Sequence, residues 1–321
     1  MRVRAMNVAA SRQGGSMVAP HLALIAVQIM FGTWPIVGKY ALRVLPSTAL
    51  VAFRVCGAAV AFLILQRAMG RVRILCKRDY AKLALYSLLG VVLNQLLFVE
   101  GLRLSTVINA TLLGTTIPVF TLLVSIALGY DRLSLRKALG IILAAGGVIY
   151  LIDPVRADFS GSHTLGNLLI VANSISYGAY IAISKDLLKR YGALTVITWI
   201  FIFGSVATVP VGVFTLAGNA VEGAGLGVWL AVHYIILVPT VGAYYLNAWA
   251  LARVAPSTVA TYIYLQPLIA FAPAPLILGE RWSSRTGVAS ILIFTGVAVV
   301  TWRARSHAIE EVAEHPDALS H

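Results

Sequence analysis

The amino-acid sequence predicts an all-α membrane protein with ten transmembrane helices, arranged as two inverted five-helix repeats. Three observations predict this fold: the composition, the spacing of the apolar runs and an internal sequence repeat. Hydrophobic residues make up 59% of the 321 residues and charged residues only 12%, whereas a typical soluble domain has about 25% charged residues. The charged residues also cluster between long apolar runs. Both features argue against a soluble globular protein.

Ten apolar runs are each long enough to cross a bilayer, which takes about 20 residues of helix. None of them shows the sustained two-residue alternation that is typical of barrel strands. The predicted spans of the first set are 21–42, 47–66, 80–101, 106–129 and 136–152. Those of the second set are 165–184, 194–217, 227–250, 257–278 and 286–302.

A polar insert from Asp153 to His163 separates the two sets of five spans. The predicted domains are a cytosolic N-terminal segment 1–20, a first repeat 21–152, a linker 153–164, a second repeat 165–302 and a cytosolic C-terminal tail 303–321. Because the tail is charged and follows the last apolar run, we expect it to be disordered.

The lysines and arginines orient the chain, since they are enriched in the cytosolic connections of membrane proteins. The two termini and the connections after even-numbered spans hold 18 of the 25 basic residues, and the other five connections hold six. The strongest single signal is the connection from Arg67 to Lys82. We therefore predict a multi-pass protein of the cell (plasma or inner) membrane with both termini cytosolic. The net charge of +13 lies mainly in these connections, so no nucleic-acid partner is expected.

The two halves of the chain align when the sequence is shifted by 149 residues. Residues 131–136 then meet residues 280–285, and an acid, two arginines and a serine keep their places; Pro118 meets Pro267. Near the start of each half, a shift of 146 pairs 31–32 with 177–178 and Lys39 with Lys185. Five spans per half is an odd number, so the second half is inverted relative to the first. Inverted repeats of this kind are typical of secondary transporters.

Three motifs resemble the ten-helix EamA-like branch of the drug/metabolite transporter superfamily. They are Phe31-Gly32-Thr33-Trp34 with Lys39 downstream, the run Asn94-Gln95-Leu96-Leu97-Phe98-Val99-Glu100-Gly101-Leu102 that leads into the fourth span, and the acid–arginine pairs Asp131-Arg132 and Glu280-Arg281. The resemblance covers about residues 21–302. It implies two EamA-type repeats that export or exchange small metabolites, such as amino acids or related compounds. It also implies that helices 1, 3, 4, 6, 8 and 9 line the binding cavity.

Polar side chains in the middle of a span are costly in lipid, so they are expected to face the cavity or another helix. For any single threonine, serine or asparagine, hydrogen bonding between helices is favoured over substrate binding, and tyrosines near span ends are often interfacial anchors. Together they would give a substrate stacking surfaces and hydrogen bonds, which suit a zwitterionic or heterocyclic compound. The substrate-binding candidates are Gln28, Trp34, Asn94, Gln95, Asn109, Thr115, Asn173, Tyr177, Tyr180, Tyr244, Tyr245, Asn247, Tyr262, Tyr264 and Gln266.

Four further residues are candidates for gating or coupling. Pro118 and Pro267 are related by the repeat and each interrupts a helix, which fits either a gating role or a packing kink. Arg54 and Glu100 are the charges deepest in the predicted spans. We hypothesise that these two interact, or that one of them is protonated during transport; the alternative is that they snorkel to the interface.

The leading interpretation is a secondary transporter that works by alternating access and binds a small-molecule substrate within the lipid bilayer. The sequence lacks the GxxxxGK[ST] pattern of ATP-driven systems, so a coupling ion or proton is the expected further partner, or none in a facilitated exchanger. The alternatives are a membrane-embedded enzyme and a channel. An enzyme is disfavoured because most of the 12 acidic residues lie in connections or the tail. The six histidines show no metal-binding spacing, and no cofactor is expected.

Overall fold

The computed structural model describes residues 18–69, 74, 76–152, 162–216, 224–271 and 273–314, and every regular element in these ranges is a helix. We number ten helices in chain order. The first five are α1 (Val18–Ala41), α2 (Ser47–Met69), α3 (Lys77–Leu104), α4 (Val107–Ala127) and α5 (Leu135–Ile152). The second five are α6 (Ser162–Tyr191), α7 (Ala193–Leu216), α8 (Leu226–Leu251), α9 (Pro256–Phe271, continued by Pro273–Leu278) and α10 (Ser284–Glu314).

The prediction of ten membrane helices is confirmed. Helices α1 to α8 are each long and apolar enough to cross a bilayer, and α9 and α10 contain the shorter apolar segments Thr258–Phe271 and Ser284–Val299. The observed helix ends lie close to the predicted ones. The clearest exception among the spans is α6, which continues past residue 184 because Leu187, Leu188 and Tyr191 are buried.

The expectation of a disordered tail is wrong over its first part, because the helical backbone of α10 continues from the last span to Glu314. This stretch is rich in alanine, arginine and glutamate, which favour the helix. The first proline after it is Pro316, which lies outside the described residues.

The packing of the helices shows a twofold relation between the two halves. Helix α2 packs on its counterpart α7, and α5 packs on its counterpart α10. Helix α3 packs on α6, and their counterparts α8 and α1 pack on each other in the same way. Helix α4 also packs on α6, and the counterparts α9 and α1 again form the matching pair. Each contact therefore has an image in which every helix is replaced by its counterpart. Because each repeat has an odd number of spans, this twofold axis lies in the plane of the membrane, as in inverted-repeat transporters.

The backbone irregularities repeat with the offset of 149 found in the sequence. Helix α3 contains a π-helical turn at Leu88–Leu93, and α8 contains one at Leu237–Gly242. Helix α4 is broken at Thr115 and Thr116, and α9 has a short 3₁₀ segment at the matching place, Tyr262–Tyr264. Such interruptions inside membrane helices are found mainly at functional sites. The repeat therefore extends to the places where the helices are least regular.

The weaker alignment near the start of each half also matches the packing. A Cβ atom on Gly32 would lie 2.7 Å from Cβ of Ile269, and one on Gly178 would lie 3.0 Å from Cβ of Phe120. Phe120 and Ile269 are 149 residues apart. Helix α1 thus meets α9 as α6 meets α4, and both contacts are too close for a side chain. Small residues at such crossings allow membrane helices to pack tightly.

Candidate functional site

A cavity lies between the two repeats. Seven helices contribute to its wall: α1, α3, α4, α6, α8 and α9, as the resemblance implies, and in addition α2. The lining residues are Phe31, Trp34, Pro35, Arg54, Asn94, Gln95, Phe98, Ala110, Thr111, Gly114, Ile117, Asn173, Tyr177, Tyr244 and Gln266.

The positions of Gln95 and Tyr244 along their helices show how deep in the membrane this cavity lies. Gln95 Nε2 donates a hydrogen bond of 2.8 Å to Tyr244 Oη. At a rise of about 1.5 Å per residue, Gln95 lies about 14 Å from the end of α3 and Tyr244 about 10 Å from the end of α8. These helix ends lie on opposite sides, and the hydrocarbon core is about 30 Å thick. The pair therefore lies near the middle of the membrane.

The candidate amides and phenols form two hydrogen-bonded groups at the cavity, one around Tyr244 and Asn94 and one that joins Tyr177 to Asn247. Tyr244 Oη accepts from Gln95 and donates to Oδ1 of Asn94 over 2.8 Å. Asn173 Nδ2 donates to the Asn94 carbonyl over 2.7 Å, which ties α6 to α3. The Tyr177 hydroxyl, on the next turn of α6, accepts from Asn247 Nδ2 over 3.1 Å. These groups therefore have neutral partners within the protein.

Five aromatic rings, on α1, α3, α6 and α8, also line the cavity. Phe31 meets Tyr244 edge to face with a centroid separation of 5.9 Å, and Trp34 lies 6.2 Å from Phe98. Tyr177 contacts Tyr244 at 6.4 Å. Phe31 and Phe98 stand in the motifs that carry the family resemblance but were not among the predicted site residues, because apolar lining residues follow the same pattern as core residues. The edge-to-face contacts of Tyr244 with Phe31 and Tyr177 hold these rings in fixed orientations.

Arg54 carries the charge of the cavity. It lies on α2 with 1% of its surface exposed, and its guanidinium carbon lies 3.8 Å from the centroid of the Trp34 ring. Its Nε donates to Thr240 Oγ1 over 3.1 Å, while Nη1 is buried without a hydrogen-bond partner. Among the described residues no carboxylate pairs with it. The α2 helix was not among the predicted lining helices, although Arg54 itself was a candidate.

The proline in the α8 π-turn explains how Arg54 is held. Pro239 has no N–H, so the carbonyl of Ile235 loses its helical partner four residues on. The hydroxyl of Thr240 donates to that carbonyl over 2.6 Å, which leaves its oxygen free to accept from Arg54. The irregular backbone of α8 therefore places an acceptor at the buried guanidinium.

The hypothesised pairing of Arg54 with Glu100 is wrong. Glu100 accepts from Ser47 Oγ at 2.5 Å and from Arg103 Nη2 at 2.5 Å. Arg103 lies three residues further along α3, so the two side chains share a helix face at its end. Glu100 is therefore held near the membrane surface, and Arg54 reaches the cavity without it.

The other predicted residues surround the cavity without lining it. Gln28 accepts a 2.7 Å hydrogen bond from Gln266, Tyr180 stacks behind Tyr177, and Thr115 donates to the Leu112 carbonyl of its own helix. The proline candidates lie in the first turn after each helix break, where the missing N–H is tolerated. The candidates outside the lining are Gln28, Asn109, Thr115, Tyr180, Tyr245, Asn247, Tyr262, Tyr264, Pro118 and Pro267.

At one end of the cavity, which we call the α3–α4 mouth, the acid Glu280 joins the end of α9 to the start of α4. The carboxylate of Glu280, after α9, accepts from the backbone N–H groups of Val107 and Ile108 at 2.7 and 3.0 Å. These are free amides in the first turn of α4, where a negative charge is favourable. Lys39, at the end of α1, donates to the carbonyls of Leu102 and Ser105. These contacts hold the ends of α1 and α9 against the connection between α3 and α4.

The opposite end, the α8–α9 mouth, repeats only half of this arrangement. Lys185 donates to the Val254 carbonyl over 2.7 Å, which is the image of the contact between Lys39 and Ser105. Asp131, the image of Glu280, accepts instead from the N–H of Arg132 and from Lys137 Nζ, both at 2.7 Å. The image of Val107 is Pro256, which has no N–H to offer. The two mouths thus differ in their acid contact.

Comparison with known proteins gives consistent matches. The profile of the EamA-like transporter family matches residues 19–152 and 164–302. A WAT1-related protein of Arabidopsis thaliana is 26% identical over 269 residues, which cover 73% of this chain and 68% of that protein. The uncharacterized transporter YetK of Bacillus subtilis is 25% identical over 283 residues, 87% of this chain and 84% of that protein.

A solved structure shows the same fold. This protein crystal structure superposes with a TM-score of 0.64 over 90% of this chain and 99% of that chain, at 18% sequence identity. At this identity the likeness concerns the fold alone.

Proposed function

Because this chain belongs to the EamA-like transporter family of the drug/metabolite transporter superfamily, we propose that it carries a small metabolite across the cell membrane by alternating access. The observation that carries the proposal is the unequal state of the two mouths. In an inverted repeat, both mouths are built from equivalent residues, and transport exchanges their states.

Exchange of the two acid contacts is the proposed step. In the described conformation Glu280 binds the start of α4, and Asp131 stays within its own connection. In the exchanged conformation Asp131 accepts from the free amides at the start of α9, beginning with Ser257, and Glu280 releases α4. With the termini in the cytosol, as the basic connections suggest, the α3–α4 mouth faces outward. The described conformation then corresponds to a carrier that is latched on its outer side.

The chemistry of the cavity favours a carrier over an enzyme. Its charged side chain is an arginine, which stays protonated in proteins and does not act as a general acid or base. The remaining polar groups are amides, threonine hydroxyls and phenols, which suit recognition. We also propose that transport is driven by an ion gradient or by exchange, since the chain lacks the nucleotide-binding pattern of ATP-driven transporters.

The test is counterflow in proteoliposomes. Vesicles containing the purified protein are loaded with one unlabelled metabolite, and uptake of the same labelled compound is followed. A carrier gives transient accumulation above equilibrium that saturates with concentration. A channel gives equilibration without overshoot, and a membrane enzyme gives a chemically altered product; either result would reject the proposal.

A further inference from the structure

Arg54 combines deep burial with an incomplete set of partners. A charge within a membrane span is costly and is retained mainly at functional sites. The protein supplies one hydroxyl acceptor, Thr240, and the face of the Trp34 ring. Nη1 has no partner at all. A buried guanidinium with an open donor and no counter-ion is poised to receive an anion.

We propose that Arg54 is the anion-binding group of the cavity and that the substrate is an organic anion with one carboxylate on an apolar or aromatic body. This inference rests on the proposed transport function and names its substrate class. Arginine binds a carboxylate through two parallel N–H bonds. Trp34 and Thr240 fix the plane of the guanidinium, so its remaining donors are oriented before the substrate arrives.

The rest of the lining favours a net anion over a zwitterion. Among the described residues that line the cavity, all others are neutral and none is acidic. A zwitterion would bring an ammonium group into a site that already contains one unpaired cation. A neutral compound would leave the charge of Arg54 without a counter-ion. A monocarboxylate neutralises the site, and this refines the earlier expectation of a zwitterionic or heterocyclic compound.

The aromatic rings receive the body of the substrate. Phe31, Phe98 and Tyr177 lie on three different helices and line the same cavity as Arg54. Their rings offer apolar contact, and Gln95 and Asn173 offer amide donors to a second oxygen. The second repeat has no matching charge, since the corresponding stretch of α7, Ile200–Phe203, is wholly apolar. One cation therefore predicts one anionic group per substrate.

The test is ligand binding to the purified protein in detergent, read as thermal stabilisation. The probes are benzoate and phenylpyruvate, the neutral benzamide, and zwitterionic phenylalanine. We expect the two carboxylates to stabilise the wild type more than the amide and the zwitterion. In Arg54→Gln the half-saturating carboxylate concentration should rise at least tenfold, and Arg54→Lys should recover part of that loss. Arg103→Gln, a charge loss outside the cavity, should bind as the wild type does.

Two results would overturn the assignment. One is that benzamide or phenylalanine stabilises the wild type as well as the carboxylates do. The other is that Arg54→Gln, folded as judged by its unliganded melting temperature, keeps wild-type carboxylate binding. Because binding is read without transport, the outcome is separate from that of counterflow. If the protein binds carboxylates selectively but shows no counterflow, the proposed carrier function is rejected and the anion site is kept. If it shows counterflow of neutral compounds, the anion site is rejected and the carrier function is kept.

Discussion

Gln95 donates a hydrogen bond to Tyr244, and the two residues are 149 positions apart, which is the offset of the internal repeat. A residue that touches its own image under a twofold rotation must lie beside the rotation axis. The axis therefore passes through the cavity at the middle of the membrane. Any substrate bound there is contacted by both repeats at once, and by different residues from each.

Replacing Tyr244 with phenylalanine should destabilise the protein and weaken transport. The change removes the acceptor for Gln95 and the donor to Asn94, and leaves buried polar groups unpaired, at about 1–3 kcal/mol each. Thermal unfolding in detergent and the KM for exchange measure the effect. Tyr130→Phe is the matched control, because Tyr130 is 70% exposed. Equal melting temperatures for both variants would contradict the prediction.

Loss of the Glu280 carboxylate should open the α3–α4 mouth. Charge-assisted hydrogen bonds contribute about 1.5–3 kcal/mol, so Glu280→Gln should shift the population toward the exchanged state. The measurement is the rate at which a membrane-impermeant thiol reagent labels Leu42→Cys, beside this mouth, with Cys56 and Cys76 replaced by serine. Asp131→Asn is the repeat-related control and should not accelerate labelling. Identical labelling rates with and without the Glu280 charge would contradict the proposal that this carboxylate holds the α3–α4 mouth.

Glu100→Gln should leave transport nearly unchanged. Glu100 is held by Ser47 and Arg103 at the end of α3, away from Arg54. A partly exposed ion pair contributes about 0–1 kcal/mol, so only a small change in melting temperature is expected. Counterflow rates compared with Arg54→Gln give the readout. A loss as large as that of Arg54→Gln would restore a coupling role for Glu100.

Thr240→Val should weaken carboxylate binding, because it removes both the donor to the Ile235 carbonyl and the acceptor for Arg54 Nε. Thr240→Ser keeps the hydroxyl and should bind close to the wild type. The comparison isolates positioning of the guanidinium from the volume of the side chain. The half-saturating concentration of benzoate is the measurement, and a wild-type value in Thr240→Val would exclude the positioning role.

Gly178→Val should destabilise the helix crossing between α6 and α4. A Cβ atom there lies 2.9 Å from the backbone nitrogen of Thr121, and overpacking of this kind costs about 1–3 kcal/mol. Gly146→Ala is the control, since its Cβ meets nothing within 4 Å. Melting temperature and monodispersity in detergent should fall for Gly178→Val alone. A monodisperse Gly178→Val protein of wild-type stability would contradict the packing argument.

The sequence was enough to predict the helices and the repeat. Hydropathy is a property of each segment, so the ten apolar runs predicted the spans. The match of Asp131 with Glu280 gave an offset of 149 residues, and the two π-turns are separated by the same offset. Side-chain partners were harder to predict, because they depend on how helices face each other. Glu100 therefore pairs with Arg103 on its own helix instead of with Arg54, and the lining rings of Phe31 and Phe98 could not be distinguished from core residues.

Pro256 occupies the place of Val107 in the second repeat, so the proposed exchange joins two acid contacts of unequal strength. Glu280 accepts from two adjacent amides at the start of α4, whereas Asp131, in the proposed exchanged conformation, has one fewer amide at the start of α9. A difference of one charge-assisted hydrogen bond, about 1.5–3 kcal/mol, biases an unloaded carrier roughly ten- to a hundredfold. In the proposed orientation the cavity of the empty carrier is open to the cytosol. In the proposed cycle such a bias presents the empty site to the cell interior, while the gradients of the transported species alone decide the direction of net transport.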